Sequence, residues 1–258
     1  KDKQMSKRKL LIANWKMNPK LAADAVRRCA RIRVVAKFGN VQVVVCPPAV
    51  FLSMLIQKTN GTKFSLGAQD AFWESEGPYT GEISPAQLAS LDVSHVILGH
   101  SERRALGETD EDVRKKLTLA LEYPFRTVLC IGERERDSEG AYLSFLENQI
   151  RAVLARVSRS KVKRLIIAYE PIWAVGARAK KADTPENLLE VVIFIRKVLS
   201  DMLGKQLAFS VPILYGGSVT AANAEAFLKN GGVEGLLVGR SSIDPKEFIS
   251  IIKTAHRV

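Results

Sequence analysis

Cysteine is scarce in this chain. Cys29, Cys46 and Cys130 are odd in number, widely spaced and form no Cys-x-x-Cys pair. Each lies in an apolar or amphipathic run, which favours buried free thiols in a reducing cytoplasm over disulfides or zinc. Histidine is as rare, and His95, His100 and His256 have no metal-ligand spacing. Aromatic residues are 7% of the sequence, and no basic run is interleaved with them. The net charge of +12 therefore does not read as a nucleic-acid surface. Its Lys and Arg are scattered through helical stretches such as Val26-Arg27-Arg28, a solvated basic surface that also attracts a small anionic substrate. No apolar run approaches the roughly 20 residues that cross a bilayer, so no membrane role is expected. The basic, polar start lacks the apolar segment of a secretory signal, and residues 1–8 are expected to form a flexible lead-in. No Pro-, Ser- or Gly-rich linker divides the remainder, so residues 9–258 read as a single domain.

Against these absences stands a repeating pattern. Short apolar runs, mostly β-branched or Leu-rich, occur at residues 10–13, 41–45, 64–68, 96–98, 127–131, 165–168, 211–215 and 235–238. Most are separated by segments with helical spacing and helix-end signals. Thr184-Pro185-Glu186 is an N-cap followed by Pro at the first helical position, and Gly204 can close the helix it opens. Asp244-Pro245-Lys246-Glu247 starts the last helix in the same way, carrying Phe248, Ile251 and Ile252 inward. Strands alternating with helices imply an α/β protein with a parallel sheet and right-handed crossovers. Eight such units in this length fit a closed (β/α)8 barrel. A doubly wound open sheet is the alternative; the absence of Gly-x-Gly-x-x-Gly after the first strand counts against its dinucleotide-binding version.

The candidate chemistry sits where strands end. Leu165-Ile166-Ile167-Ala168 is a buried-strand pattern, so Glu170 stands where the chain leaves the core, unless it is only a solvated loop charge. Lys16 follows the first strand and faces the barrel mouth; otherwise it is a surface lysine at a strand end. The fourth strand ends in Gly99-His100-Ser101-Glu102, which reads as a tight exit into a short helix. A histidine at a helix N-terminus meets the positive end of the dipole, which disfavours an imidazolium, and a neutral ring there can donate to a carbonyl oxygen. The alternative is a ring satisfied by the loop backbone. Tyr215-Gly216-Gly217-Ser218-Val219 and Val238-Gly239-Arg240-Ser241 follow the last two strands, where barrels commonly hold phosphate on backbone N–H groups. A base, a neutral electrophile, a cation and an anion cradle suit proton abstraction next to a carbonyl in a small phosphorylated substrate.

Seven motifs, in order, carry a resemblance. Asn14-Trp15-Lys16-Met17-Asn18, Gly67-Ala68-Gln69-Asp70, Tyr79-Thr80-Gly81-Glu82-Ile83-Ser84, Gly99-His100-Ser101-Glu102-Arg103-Arg104, Cys130-Ile131-Gly132-Glu133, Tyr169-Glu170-Pro171-Ile172-Trp173-Ala174 and Tyr215-Gly216-Gly217-Ser218-Val219 resemble the triosephosphate isomerase family, from about Lys9 to the C-terminus. The resemblance implies a TIM barrel that interconverts dihydroxyacetone phosphate and glyceraldehyde 3-phosphate through an enediolate. It implies Glu170 as the base, neutral His100 as the group polarising the carbonyl, and Lys16 stabilising the negative charge. Asn14 positions substrate in this reading, and Glu102 supports the site as an orienter or proton relay. Backbone groups at Gly176, Ser218, Gly239 and Arg240 hold the phosphate. No cofactor or metal is implied. The Tyr79-Thr80-Gly81-Glu82 segment matches the family's projecting dimer loop, which implies a homodimer made through Thr80, Gly81 and Glu82. These mechanistic ideas belong to the family, whose enzyme is a standard worked example of barrel catalysis and lid closure.

Two departures stand out. The segment after Glu170 reads Gly176-Ala177-Arg178-Ala179-Lys180-Lys181-Ala182-Asp183-Thr184-Pro185, where the family usually has Gly-Thr-Gly-Lys-Thr-Ala-Thr-Pro. It is two residues longer and lacks the second glycine. Arg240 stands where a second glycine is common; its backbone N–H can still bind phosphate, and its guanidinium can add charge. A divergent barrel isomerase for a related sugar phosphate, or a weakened barrel kept as a scaffold, are the alternatives these departures leave. Intact Lys16, His100 and Glu170 argue against the scaffold.

Overall fold

Eight parallel strands close into a barrel in sequence order, each paired with its neighbours and the last with the first. A computed structural model describes residues 8–36, 40–57, 64–174 and 183–258. The strands are β1 (Lys9–Asn14), β2 (Val41–Cys46), β3 (Phe64–Ala68), β4 (His95–Leu98), β5 (Arg126–Ile131), β6 (Leu165–Tyr169), β7 (Ile213–Tyr215) and β8 (Gly235–Val238). Among the described residues the helices are α1 (Ala22–Ala36), α2 (Leu52–Ile56), α3 (Pro85–Ser90), α4 (Ser101–Ala105), α5 (Asp110–Ala120), α6 (Ala141–Leu154), α7 (Pro185–Leu203), α8 (Lys205–Ser210), α9 (Ala224–Asn230) and α10 (Pro245–Ala255). The basic lead-in expected over residues 1–8 falls, apart from Arg8, outside the described residues.

The strands are apolar on both faces because both faces are covered. One set of side chains, including Leu10, Ile12, Val44, Ile97, Val128 and Ile166, fills the barrel interior. The alternate set, including Leu11, Val43, Val96, Leu129 and Ile167, packs outward against the helices. At the closing seam Gly235 lies against the Leu10 carbonyl so closely that a Cβ there would overlap it. Leu10 N–H donates to the Glu234 carbonyl beside it, 3.0 Å away. Glycine is what lets β8 close on β1.

The helix-end signals read from the sequence operate as expected. The Thr184 side chain accepts from Asn187 N–H at the start of α7, with Pro185 next, and Gly204 ends the helix at φ 83°. Asp244 caps α10 by accepting from Lys246 N–H, and Phe248, Ile251 and Ile252 are buried. The seventh strand begins at Ile213, two residues later than the apolar run suggests. Pro212 has no N–H to give the ladder, although its carbonyl accepts from Ile167 N–H at 2.9 Å. Among the described residues no helix is long and apolar enough to cross a membrane. Asn14, His100, Glu170, Gly216 and Gly239 all stand at, or within two residues of, the C-terminal end of a strand, so the barrel brings them to one face.

Candidate functional site

Lys16 is held in an uncommon backbone conformation, with φ of 52°. Three hydrogen bonds secure it there. Asn14 Oδ1 accepts from Lys16 N–H at 3.0 Å, and Gln69 Nε2 donates to the carbonyls of both Lys16 and Cys46 at 2.9 Å. A lysine in this left-handed region costs free energy that its surroundings must offset, and such positions cluster at functional sites. The turn aims the ammonium across the mouth, where Nζ lies 2.6 Å from Glu102 Oε1. Glu102 is more than half exposed, so this pair fixes direction more than it adds stability.

His100 is the N-cap of α4, and its Nδ1 accepts from Glu102 N–H at 3.1 Å. An accepting Nδ1 carries no proton, so the ring is the neutral tautomer with its proton on Nε2. The Glu102 carboxylate is also near Nδ1, 3.8 Å away, but an ion pair there needs the proton that the backbone N–H already displaces. Nε2 faces inward and lies 3.1 Å from Glu170 Oε1. The other carboxylate oxygen of Glu170 accepts from Ser101 N–H at 2.9 Å. Ser101 opens α4, so its N–H adds the positive end of the helix to the site.

Glu170 is buried, directly after β6, and its own N–H donates to the Ile131 carbonyl at 2.8 Å. A Cβ at Gly216 would lie 2.8 Å from Glu170 Cγ, so glycine leaves the carboxylate its room. The Cys130 thiol also faces Glu170; burial first, and then the Glu170 charge, push that thiol well above its ordinary pKa. All three cysteines are free and buried.

These groups line one cavity of about 250 Å³, below the roughly 300–1,000 Å³ of drug-sized sites and suited to a small ligand. Asn14, Lys16, His100, Glu102 and Glu170 form one side, and the loops carrying Ser218, Gly239 and Arg240 form the other. The first loop is shaped by Asn223, whose Oδ1 accepts from Thr220 N–H at 2.8 Å and whose Nδ2 donates to the Ser218 carbonyl at 2.9 Å. The second is held by Ser242, whose hydroxyl donates to the Gly239 carbonyl at 2.7 Å. Gly176 lies outside the described residues. Every other candidate site residue read from the sequence lines this cavity. Among the described residues no group of three His, Cys, Asp or Glu side chains could hold a metal ion.

Several contributors were not singled out from the sequence. Gly216 and Gly217 line the cavity with backbone alone, and their Gly-Gly pair after a strand was the signal that could have marked them. Ser101 and Gln69 act by holding Glu170 and Lys16. Both stood inside quoted motifs, but nothing in their residue types announces those partners.

The family model described as triosephosphate isomerase matches residues 9–255. The chain belongs to the triosephosphate isomerase family. It is 40% identical over 245 residues to the triosephosphate isomerase of Clostridium botulinum (strain Okra / Type B1), an overlap of 94% of this chain and 98% of that protein. It is 38% identical over 248 residues to the triosephosphate isomerase of Caldanaerobacter subterraneus subsp. tengcongensis, covering 95% of this chain and 99% of the relative. As a member of the triosephosphate isomerase family the chain is an isomerase, and its single-domain TIM barrel is the fold expected of one.

Proposed function

We propose that this isomerase interconverts dihydroxyacetone phosphate and D-glyceraldehyde 3-phosphate, with Glu170 as the base, His100 as the electrophile and Lys16 as the cation. The observation that carries the reading is the convergence of these three side chains on one cavity whose far wall is two glycine-containing loops. Glu170 removes a proton from the carbon next to the carbonyl and returns it to the neighbouring carbon. His100 donates its Nε2 proton to the carbonyl oxygen and recovers a proton from the adjacent hydroxyl, so the enediolate forms and collapses without net change in the enzyme. A neutral imidazole suits this exchange, and the Glu102 N–H bond to Nδ1 is what keeps the proton on Nε2. Lys16 sits where it stabilises the oxyanion, with Asn14 fixing the turn that aims it and Glu102 holding its direction.

The phosphate is assigned to Ser218, Gly239 and the backbone of Arg240, and to Gly176 on the resemblance alone. The Arg240 guanidinium adds a second positive charge to that end. An assay of glyceraldehyde 3-phosphate conversion, coupled to a reductase and without added metal, tests the reading. Turnover with kcat/KM near the diffusional range of about 10⁷–10⁸ M⁻¹s⁻¹ is the expected result. No turnover and no inhibition by inorganic phosphate would sink it.

The same family reading extends to a homodimer. A second cavity of about 400 Å³ opens beside Asn14, Lys16 and Gln69, bordered by the exposed side chains of Met17 and Leu106. Large apolar side chains around a groove next to the site suit a protein partner better than water. The Thr80-Gly81-Glu82 loop of a second copy is the occupant proposed, with Gly81 at φ 93° and nothing crowding it. Sedimentation at micromolar concentration tests this, and a monomer there would overturn it. Buried free thiols at Cys29, Cys46 and Cys130 support a cytoplasmic location.

A further inference from the structure

Behind the cavity wall lies a buried ionic cluster that the reaction does not use. Tyr169 and Tyr215 are the last residues of β6 and β7 and are register partners. Both pack with the residues outside the barrel. One immediately precedes Glu170 and the other immediately precedes the Gly216-Gly217-Ser218 loop. Each phenol meets a buried carboxyl group. Tyr169 donates to Glu133 Oε1 at 2.7 Å, as does Trp173 Nε1 at the same distance. The Tyr215 phenol faces Asp183.

Asp183 is 9% exposed, and its Oδ1 accepts from Thr184 N–H at 2.9 Å. Among the described residues Asp183 Oδ2, Glu133 Oε2 and Arg136 Nη1 are buried without a hydrogen-bond partner. Arg136 acts on both carboxyl groups from the loop after β5, while its other nitrogen reaches Tyr142 on α6 at 2.9 Å and Glu190 on α7 at 3.0 Å. A buried carboxylate needs a counter-charge and hydrogen-bond donors, and these are the ones at hand.

The cluster reaches the site through contact. The Tyr215 hydroxyl lies under Gly217 so closely that a Cβ at Gly217 would overlap it. Gly216 N–H donates to the Tyr169 carbonyl at 2.7 Å, and Gly216 is the residue packed against Glu170 Cγ. We propose that Asp183 is a positioning residue which, through the Tyr215 phenol and with Arg136 as counter-ion, fixes the Gly216-Gly217-Ser218 loop. This rests on the reading of that loop as part of the phosphate cradle.

The groups facing Asp183 set the direction of the bond. Burial pushes the Asp183 carboxyl above its usual range, opposed by Thr184 N–H, Arg136, Tyr215 and Asn187. Burial and the same carboxylate push the Tyr215 phenol far up, and Tyr169, beside Glu133 and Asp183, is raised likewise. The phenol therefore keeps its proton and donates, and Asp183 accepts. As pH falls through the raised Asp183 pKa, the charge leaves and the bond to Tyr215 weakens.

The test compares wild type, Asp183→Asn and Asp183→Ala for turnover, for competitive inhibition by inorganic phosphate from pH 5 to 8, and for thermal unfolding. Ratios to wild type at each pH cancel the titration of phosphate itself. Asp183→Ala is expected to raise KM and the phosphate Ki together by about tenfold, with kcat changed by less than about threefold, on the scale of one lost charged hydrogen bond. Asp183→Asn keeps an acceptor, so its KM ratio is expected at about fivefold near pH 8, approaching one near pH 5. A folded Asp183→Ala enzyme with wild-type KM and Ki would overturn the proposal. So would an Asn ratio that is flat with pH, and that measurement decides alone if the Ala variant does not fold. Absence of phosphate inhibition in the wild type would overturn the cradle reading and this proposal together, whereas wild-type inhibition with an unaffected variant would overturn this proposal only.

Discussion

His100 Nε2 lies 3.1 Å from Glu170 Oε1, so the proposed electrophile and the proposed base face each other across the mouth of one cavity. Ser101 N–H holds the second carboxylate oxygen at 2.9 Å. A glutamine keeps the shape and removes the basicity, and its amide N–H2 has nothing to offer the Ser101 donor. Glu170→Gln is therefore expected to lower kcat by about 10²–10⁴-fold, the usual scale for one positioned proton-transfer group. The phosphate Ki should move by less than about threefold, because the cradle lies on the opposite wall. Steady-state kinetics with inorganic phosphate as inhibitor separates the two, and near-normal turnover would remove Glu170 from the role of base.

Gly216→Ala tests the clearance around that base. The new methyl would meet Glu170 Cγ at 2.8 Å and the Tyr169 carbonyl at 3.3 Å. The carboxylate arm is the part able to yield, so the cost falls on its position and less on stability. A misplacement of about 1 Å can cost about 10²-fold in rate, and a kcat lowered by about 10–100-fold is expected with the fold retained. Kinetics alongside thermal unfolding checks this; a variant with wild-type kcat would show that Gly216 does not set the position of Glu170.

Much of this arrangement was readable before the coordinates. A parallel barrel strand is covered on both faces, so it appears in the sequence as an uninterrupted apolar run, and the residue after the run is where the chain reaches the mouth. Lys16, His100 and Glu170 were legible for that reason. The start of β7 was misread by two residues because Val211 and Pro212 are apolar, and apolarity says nothing of the missing N–H. Ser101 and Gln69 were illegible in a different way. One acts through a backbone N–H and the other through a contact with Lys16, 53 residues away, and neither leaves a periodic trace. The Asp183 and Arg136 cluster is likewise visible only once β5, β6 and β7 stand side by side.

Lys116 is the clearest stability test. Its side chain is 2% exposed, and its ammonium pairs with Asp70 Oδ2 at 2.7 Å and with Glu108. Arg103, nearly half exposed, is the second cation on the same two carboxylates. Burial already pushes the Asp70 carboxyl up, with the Lys116 charge opposing. Lys116→Met would leave Asp70 and Glu108 with Arg103 alone, and breaking a buried pair in this way costs about 3–5 kcal/mol. A fall in Tm on the order of 10 °C is expected. Adding Asp70→Asn and Glu108→Gln should recover part of it, and a Lys116→Met protein as stable as wild type would show that the network contributes little.

His95 gives the fold a dependence on pH that has nothing to do with the active site. It is the first residue of β4 and 1% exposed, with Nδ1 2.9 Å from Ser94 Oγ and, among the described residues, no partner on Nε2. Burial, and then the nearby Arg126 charge, lower its pKa from 6.5 to about 3. The unfolded chain thus binds a proton below about pH 6.5, and the folded chain does not until about pH 3. The neutral-ring contribution to stability is complete above pH 6.5 and is lost as pH falls through the window between the two values, at about 1.4 kcal/mol per unit, or about 2 kcal/mol by pH 5. Asp70, Glu133 and Asp183 shift the opposite way, since burial raises their carboxyl pKa values and acid then favours the folded state, so the net profile mixes both signs. Urea unfolding of wild type and His95→Gln at pH 8 and pH 5 isolates the histidine. Wild type should lose about 2 kcal/mol more than the variant between these conditions. Equal losses would mean that His95 takes up its proton in the folded barrel as readily as in the unfolded chain.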